Sequence, residues 1–387
     1  MPILNRAAEL HEEVTGWRRR LHAAPELLYD VHETAGFVAG KLAEFGCDEV
    51  ATGIGRTGVV GIIRGARGEG PVIGLRADMD ALPLTETSGR PWASTTPGKM
   101  HACGHDGHTA MLLGAAKYLA ETRAFAGAVA VIFQPAEEGG AGGRAMVEDG
   151  MMDRFGIARV FGMHNMPGLP VGHFAITPGP IMAATAEFTI AVEGRGGHAA
   201  MPHTTIDPVA AASQIVLALQ TIVSRTVDPL DSAVVSVTKF HAGDAYNVIP
   251  QRAELAGTVR TLHDEVAETV FARMRAICDG VAAACGVTAA LRIAVNYPVT
   301  RNDPDEAAFA AGVAREIAGE GKVDAAVRPT LGGEDFSYML NARPGAFIFA
   351  GNGDTAGLHN PAYDFNDELI PHGVSYWVRL AETALAP

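Results

Sequence analysis

The sequence predicts an α/β catalytic domain, a mostly parallel sheet flanked by helices, interrupted by an inserted ferredoxin-like α+β domain. Three observations carry this reading. Apolar strand-like runs alternate with helical runs over residues 1–180, the order expected of a parallel sheet with helices on its faces. The pattern changes to β-α-β-β-α-β between residues 181 and 296, the split unit of a ferredoxin-like fold. The α/β alternation resumes over 297–387, so the catalytic domain comprises 1–180 and 297–387.

The elements follow in order. A charged, capped stretch from Asn5 to His22 reads as the first helix, and His32 to Phe45 as the second, stopped by Gly46. "TGVVGIIRG" and "PVIGLRADMD" read as strands, and "HTAMLLGAAKYLAET" as a helix. "GAVAVIFQ" and "RVFGMHN" are continuous apolar strands of the kind buried on both faces. Pro178, Gly179 and Pro180 read as a hinge. The insert then runs as a strand to Val192, a helix over 207–227, strands over 232–240 and 252–262, a helix over 264–284 and a last strand to Val295. A helix from Pro304, the turn "LGGEDFSYML", the strand "GAFIFAGN" and an amphipathic helix from Pro371 close the chain.

Composition narrows the class. With 387 residues, 48% of them hydrophobic, the chain can bury a large core. The formal net charge of −14 argues against nucleic acid or an anionic membrane as partner. No eighteen-residue apolar run occurs and the N-terminus does not read as a signal peptide, so the expected location is cytoplasmic. Four cysteines are too few for a disulfide framework, and only Cys103 sits among other ligand types.

In open α/β sheets, functional groups gather beyond the carboxyl ends of strands. After "VIGL" come Asp78 and Asp80, after "VAVIFQ" Glu137 and Glu138, after "RVFGM" His164, and after "FIFAGNGD" His359. "MHACGHDGH", placing His101, Cys103, His105 and His108 together, directly precedes a helix. Each group alone has a plainer explanation: a hydrogen-bonded strand-end histidine, a helix-capping acid, a solvated Glu pair. Jointly, a thiol, several imidazoles and paired carboxylates at one sheet edge are costly unless a cation orders them. That donor set suits zinc, manganese, cobalt or nickel.

"GLRADMDALP", "MHACGHDGH", "QPAEEGGAGG", "GMHN", "GRGGHAAMPH", "NVIP" and "GGEDFS" together resemble the M20 metallopeptidase family. The nearest branch is that of hippurate hydrolases, N-acyl-amino-acid amidohydrolases and plant auxin-conjugate hydrolases, and the likeness runs nearly end to end. It implies a centre of two divalent metal ions held by Cys103, His105, Glu138, His164 and His359, with Cys103 in the bridging place that an aspartate fills in most relatives. It implies Glu137 as general base, and His198 as the group that reaches the active site to stabilise the developing oxyanion. Asn247 and Arg260 match positions that contact the substrate carboxylate. The insert, 181–296, would be a lid and dimerisation domain, giving a homodimer or homotetramer. One departure stands out: Asp78-Met79-Asp80 replaces the family's His-x-Asp, so Asp78 and Asp80 are expected to orient ligands rather than bind metal. The expected reaction is hydrolysis of the amide of a small N-acyl amino acid. A small-peptide metallopeptidase or an N-acetyl-diamino-acid deacetylase would use the same centre. His101 and His108 have no matched ligand role, and His108 is expected to face the helix core or make a structural hydrogen bond. Glu334, Asp335 and Ser337 are expected to shape the pocket or cap a helix.

Overall fold

A computed structural model describes residues 3–387. The chain forms two compact units, one comprising residues through Ile181 with Thr300–Arg328 and Asp335–Pro387, the other Met182–Val299 with Pro329–Glu334.

The first unit is built on an eight-stranded sheet. Across the sheet the strands run Glu49–Ile54, Gly58–Arg64, Ala128–Gln134, Val72–Asp78, Ile157–Pro167, Gly345–Gly353, Phe174–Ala175 and Val323–Asp324. The four from Ala128–Gln134 to Gly345–Gly353 pair in parallel, while the Glu49–Ile54 and Gly58–Arg64 hairpin joins them antiparallel. Every residue of Ala128–Gln134 is buried, which accounts for its unbroken apolar sequence: both faces are covered by helices. His105–Thr122 and Ile370–Ala384 contribute much of that cover through Met111, Leu112, Val374 and Trp377.

Two local readings are corrected. The expected first helix is interrupted: Asn5–Glu9 and His11–Ala23 are separate, with buried Leu10 (ψ −8) tightening the turn between them. The expected hinge at Pro178–Pro180 is partly strand, because Gly179–Met182 pairs with Thr300–Asn302. The strand read at "RVFGMHN" is observed as Ile157–Pro167 and includes His164 and Asn165.

The second unit carries a four-stranded antiparallel sheet in the order Ala233–Ala242, Arg252–Thr261, Ala184–Glu193, Thr288–Tyr297. Helices Pro208–Arg225 and Asp264–Cys285 bury one of its faces: Ile215, Leu219, Val270 and Met274 join Phe188, Ile190 and Leu255 in one core. Local rules set the helix ends. Asp207 caps the first helix, accepting from the Val209 and Ala210 N–H groups, with Pro208 at its first position. Gly286 (φ +71) ends the second. Among the described residues no helix is long and apolar enough to cross a membrane.

One polar network ties the His11–Ala23 helix to the start of His105–Thr122. Arg18 and His22 stand one helical turn apart and both are buried. His22 Nδ1 lies 2.8 Å from Asp106 Oδ2 and its Nε2 3.3 Å from Glu86 Oε1, while Arg18 Nε donates to Asp367 Oδ1 at 2.8 Å. Burial disfavours the charged imidazole, but Asp106 and Glu86 outweigh it and hold the His22 pKa up at about 9. A raised pKa contributes stability that is complete below the ordinary value of 6.5 and is lost as pH rises through about 9. The melting temperature should therefore fall between these pH values, and His22→Gln should flatten that fall; equal slopes in thermal melts of the two proteins would contradict the assignment.

Candidate metal centre

The carboxyl edge of the parallel strands brings the expected ligands together. Cys103 Sγ lies 3.4 Å from His164 Nε2, and donor atoms of Cys103, His105 and His164 all fall within 4.8 Å of one another. The same holds for Cys103, Glu138 and His359, and for His105, Glu137 and Glu138. Cys103 is common to the first two groups and Glu138 to the last two, so the six side chains form one continuous cluster. His164 reaches it from its strand, Cys103 and His105 from the turn into the His105–Thr122 helix, and Glu137 and Glu138 from the turn after Ala128–Gln134. His359 comes from the loop after Gly345–Gly353, with its Nε2 3.3 Å from Glu138 Oε1.

Two histidines are held so that Nε2 faces the cluster. The His105 Nδ1–H donates to the Asp80 carbonyl at 2.8 Å, and the His164 Nδ1–H to the Asn165 carbonyl at 2.7 Å. A carbonyl can only accept, so each contact fixes a proton on Nδ1 and directs Nε2 at the other donor groups. His105 Nε2 is wholly buried and makes no hydrogen bond. A buried ring nitrogen without a partner is uncommon; here it faces Asp78 Oδ2 at 3.7 Å and Glu138 Oε1 at 3.9 Å. A thiol, three imidazoles and a carboxylate with this exposure of lone pairs fit a divalent cation.

The surrounding charges call for positive charge. Burial opposes an imidazolium at His105, yet Asp78, Asp80 and Glu138 outweigh it and push the His105 pKa up to about 10. Burial, reinforced by Glu138, Glu137 and Asp78, raises the Cys103 thiol well above its ordinary pKa. Burial pushes the His164 pKa well down, so that imidazole is neutral and ready to ligate.

Asp80 and Asp78 hydrogen-bond the residues of this cluster and their neighbours. Both Asp80 carboxylate oxygens accept main-chain N–H groups, Oδ1 from Glu137 at 3.0 Å and Oδ2 from Glu138 at 3.1 Å. Asp80 therefore orients both glutamates through their backbone, and its own carbonyl orients His105. Ala136, at φ +55, turns the chain so that the two adjacent glutamates enter the cluster. A Cβ at Gly142 would lie 1.7 Å from the Pro135 carbonyl oxygen, which is why this turn needs a glycine there. Asp78 Oδ1 lies 2.6 Å from His108 Nδ1, and His108 Nε2 accepts the Asn165 N–H at 3.0 Å. His108 thus has both nitrogens occupied and makes a structural hydrogen bond.

Three neighbours were not singled out from sequence: Arg76, Gln134 and the role taken by Asp335. Fully buried Arg76 donates to Asp78 Oδ2 at 2.8 Å, Gln134 Oε1 at 2.8 Å and Asp335 Oδ1 at 3.1 Å. Asp335 also accepts from Gln134 Nε2 at 2.6 Å and from the Gly143 N–H at 2.8 Å. Asp335 therefore anchors the glycine-rich turn after Glu138. The sequence signals were the motifs that contain these three residues, "GLRADMDALP", "QPAEEGGAGG" and "GGEDFS".

The remaining expected residues lie in the second unit. His198 and Val248 are paired on two short strands, and the Ala199 N–H donates to the Asn247 carbonyl at 3.0 Å, so His198 and Asn247 are neighbours. Arg260, half-buried, sits on the Arg252–Thr261 strand opposite Thr185 and Val234, and its Nη1 donates to the Val259 carbonyl at 3.0 Å.

Because the bare cluster keeps protons on Cys103 and His105, cation binding must displace them. Affinity for a divalent cation should rise with pH, by about tenfold per pH unit for each proton displaced. Calorimetric titrations in buffers of different ionisation enthalpy check this, and heats independent of the buffer would contradict it.

Comparison with known proteins agrees with this geometry. The family model "Peptidase family M20/M25/M40" matches residues 74–383. The chain is 43% identical over 381 residues to a hippurate hydrolase of Campylobacter jejuni, covering 98% of this chain and 99% of that protein. It is 41% identical to an N-acetylcysteine deacetylase of Bacillus subtilis, covering 97% of each. A crystal structure of a dinuclear metal-binding peptidase of the M20 family from Bacillus subtilis superposes with a TM-score of 0.86 at 37% identity, over 98% of this chain and 99% of that one. The chain belongs to peptidase family M20/M25/M40.

Proposed function

We propose that this protein is a metal-dependent amidohydrolase that cleaves the amide bond of N-acyl amino acids, releasing a carboxylic acid and a free amino acid. The observation that carries this is the placement of Glu137 beside the ligand cluster, held through its backbone by Asp80. A site serving only to stabilise the fold has no use for an additional carboxylate at that point. The similarity to a hippurate hydrolase and an N-acetylcysteine deacetylase supports N-acyl amino acids as the substrate class.

Cys103, His105, Glu138, His164 and His359 would hold two divalent metal ions. The thiol favours zinc, and the imidazoles and carboxylate also accommodate manganese, cobalt or nickel. Bound there, two divalent cations would polarise the acyl carbonyl and make a water molecule acidic near neutral pH. Glu137 takes the proton of the attacking water and returns it to the departing amine, so that a free amine rather than an unstable anion leaves. Asp78 and Asp80 keep the ligands in place while charge shifts among them. His198 is assigned to the carbonyl oxygen, where negative charge develops, and Asn247 and Arg260 to the substrate carboxylate, for which a guanidinium fork is well shaped. Self-association as a homodimer or homotetramer belongs to the same reading. It is supported by exposed apolar side chains on the second unit, Leu217 at 72% and Leu230 at 95% exposure.

Glu137→Gln should retain metal by elemental analysis and lower kcat by about 10²–10⁴; wild-type turnover in that variant would remove Glu137 from its role. Chelation should abolish hydrolysis without unfolding, and added single metals should restore it. Activity that survives complete metal removal would sink the metal-dependent reading. A panel of N-benzoyl, N-acetyl and indole-acetyl amino acids set against dipeptides separates the amidohydrolase from a peptidase, and exclusive cleavage of dipeptides would favour the latter.

A further inference from the structure

The turn that carries Glu137 and Glu138 continues into Gly139, Gly140, Gly142 and Gly143. Such a run has much conformational entropy to lose on ordering. Asp80 holds its start from below. A second element grips it from the side, the short segment Glu26–Tyr29 between the His11–Ala23 and His32–Glu44 helices. The Ala136 N–H donates to the Leu28 carbonyl at 3.1 Å, and the Tyr29 hydroxyl donates to the Gly140 carbonyl at 2.7 Å. These two bonds bracket Glu137 and Glu138 on either side. The same segment also holds the Asp80 side of the site, since the Ala81 N–H donates to the Glu26 carbonyl at 2.8 Å.

Tyr29 is itself fixed at three points. Its carbonyl accepts from Thr57 Oγ1 at 2.9 Å, the Arg56 guanidinium lies 4.2 Å from its ring centroid, and its hydroxyl is committed to Gly140. The ring also fills the space beside Gly140, where an added Cβ would come within 3.3 Å of Tyr29 Cε2. Burial raises the phenol pKa, so the hydroxyl keeps the proton it donates. Leu28 adopts φ +51, a conformation costly for a branched residue. That strain is retained where the Leu28 carbonyl must face Ala136 and the next side chain must face Gly140.

We infer that Tyr29 is a positioning residue for the reaction: its hydroxyl clamps the Gly140 carbonyl and thereby holds the glycine-rich turn, and with it the Glu137 carboxylate, in the geometry needed for proton transfer. This rests on the role proposed for Glu137 above. Tyr29 itself touches no reacting atom.

The test is Tyr29→Phe, which keeps the ring and its contact with Arg56 and removes only the hydroxyl. In the metal-loaded enzyme, on the best substrate of the panel, kcat should fall about 3–10-fold, the worth of one neutral hydrogen bond expressed in a barrier. KM should stay within about twofold, because the substrate-binding groups are untouched. Metal content should match wild type, and amide hydrogen exchange over residues 136–143 should quicken. A filler of space alone would leave both kcat and this exchange unchanged, and either result overturns the proposal, as does a rise in KM that accounts for the whole loss of kcat/KM. Should wild type hydrolyse no N-acyl amino acid, the hydrolase reading falls, while the exchange comparison still decides whether Tyr29 braces the turn.

Discussion

Four carboxylates, Asp78, Asp80, Glu137 and Glu138, crowd the carboxyl edge of one parallel sheet with little access to solvent. Like charges so placed repel strongly where water cannot screen them. The site exists because each is answered. Asp80 is met by two main-chain N–H groups. Asp78 is met by Arg76 and His108, which together with His105 overcome its burial and hold its pKa well below the ordinary range. Glu138 and Glu137 face the imidazole and thiol donors, where the balancing charge belongs to a divalent cation.

This balance makes the arrangement around the metal a matter of folding rather than of the ligands alone. Arg76 lies within a parallel strand, fully buried, and its guanidinium ties the end of its own strand at Asp78 to Gln134 on the adjacent strand and to Asp335. Such a group is stable inside a protein only if its donors are satisfied, and loss of one partner would leave an uncompensated buried charge. Backbone strain gathers in the same place. Leu28, Ala136, Ala141 and His359 are non-glycine residues at positive φ, and all four lie in or beside the segments that carry or brace the ligand cluster. Strained conformations persist where surrounding contacts over-determine them, which is the condition for a site held in advance of its substrate.

Much of the fold was legible in one sequence because its signals are local. Continuous apolar runs marked the buried parallel strands, Gly46 marked a helix end, and the shift to β-α-β-β-α-β marked the antiparallel sheet of the second unit. The misreadings were also local in cause. A proline-glycine cluster reads as a break, yet Gly179–Met182 found a strand partner at Thr300–Asn302, more than a hundred residues away. Apolar periodicity does not register the tight turn at Leu10, since the buried face continues across it. The ligand types were visible as strand-end groups, but their grouping around Cys103 came from resemblance to a family rather than from spacing.

Residue type and order alone therefore determined the α/β class and the collection of thiol, imidazole and carboxylate groups at strand ends, because periodicity and donor chemistry are properties of short stretches. Tertiary structure decided which atoms of those groups are available. Only the fold shows that the Asp80 and Asn165 carbonyls select the His105 and His164 tautomers, that His108 is occupied by Asp78, and that Asp335 and Tyr29 hold the glycine-rich turn from opposite ends of the sequence. Hydrogen bonds between residues tens to hundreds of positions apart leave no periodic trace, so no local pattern could have announced them.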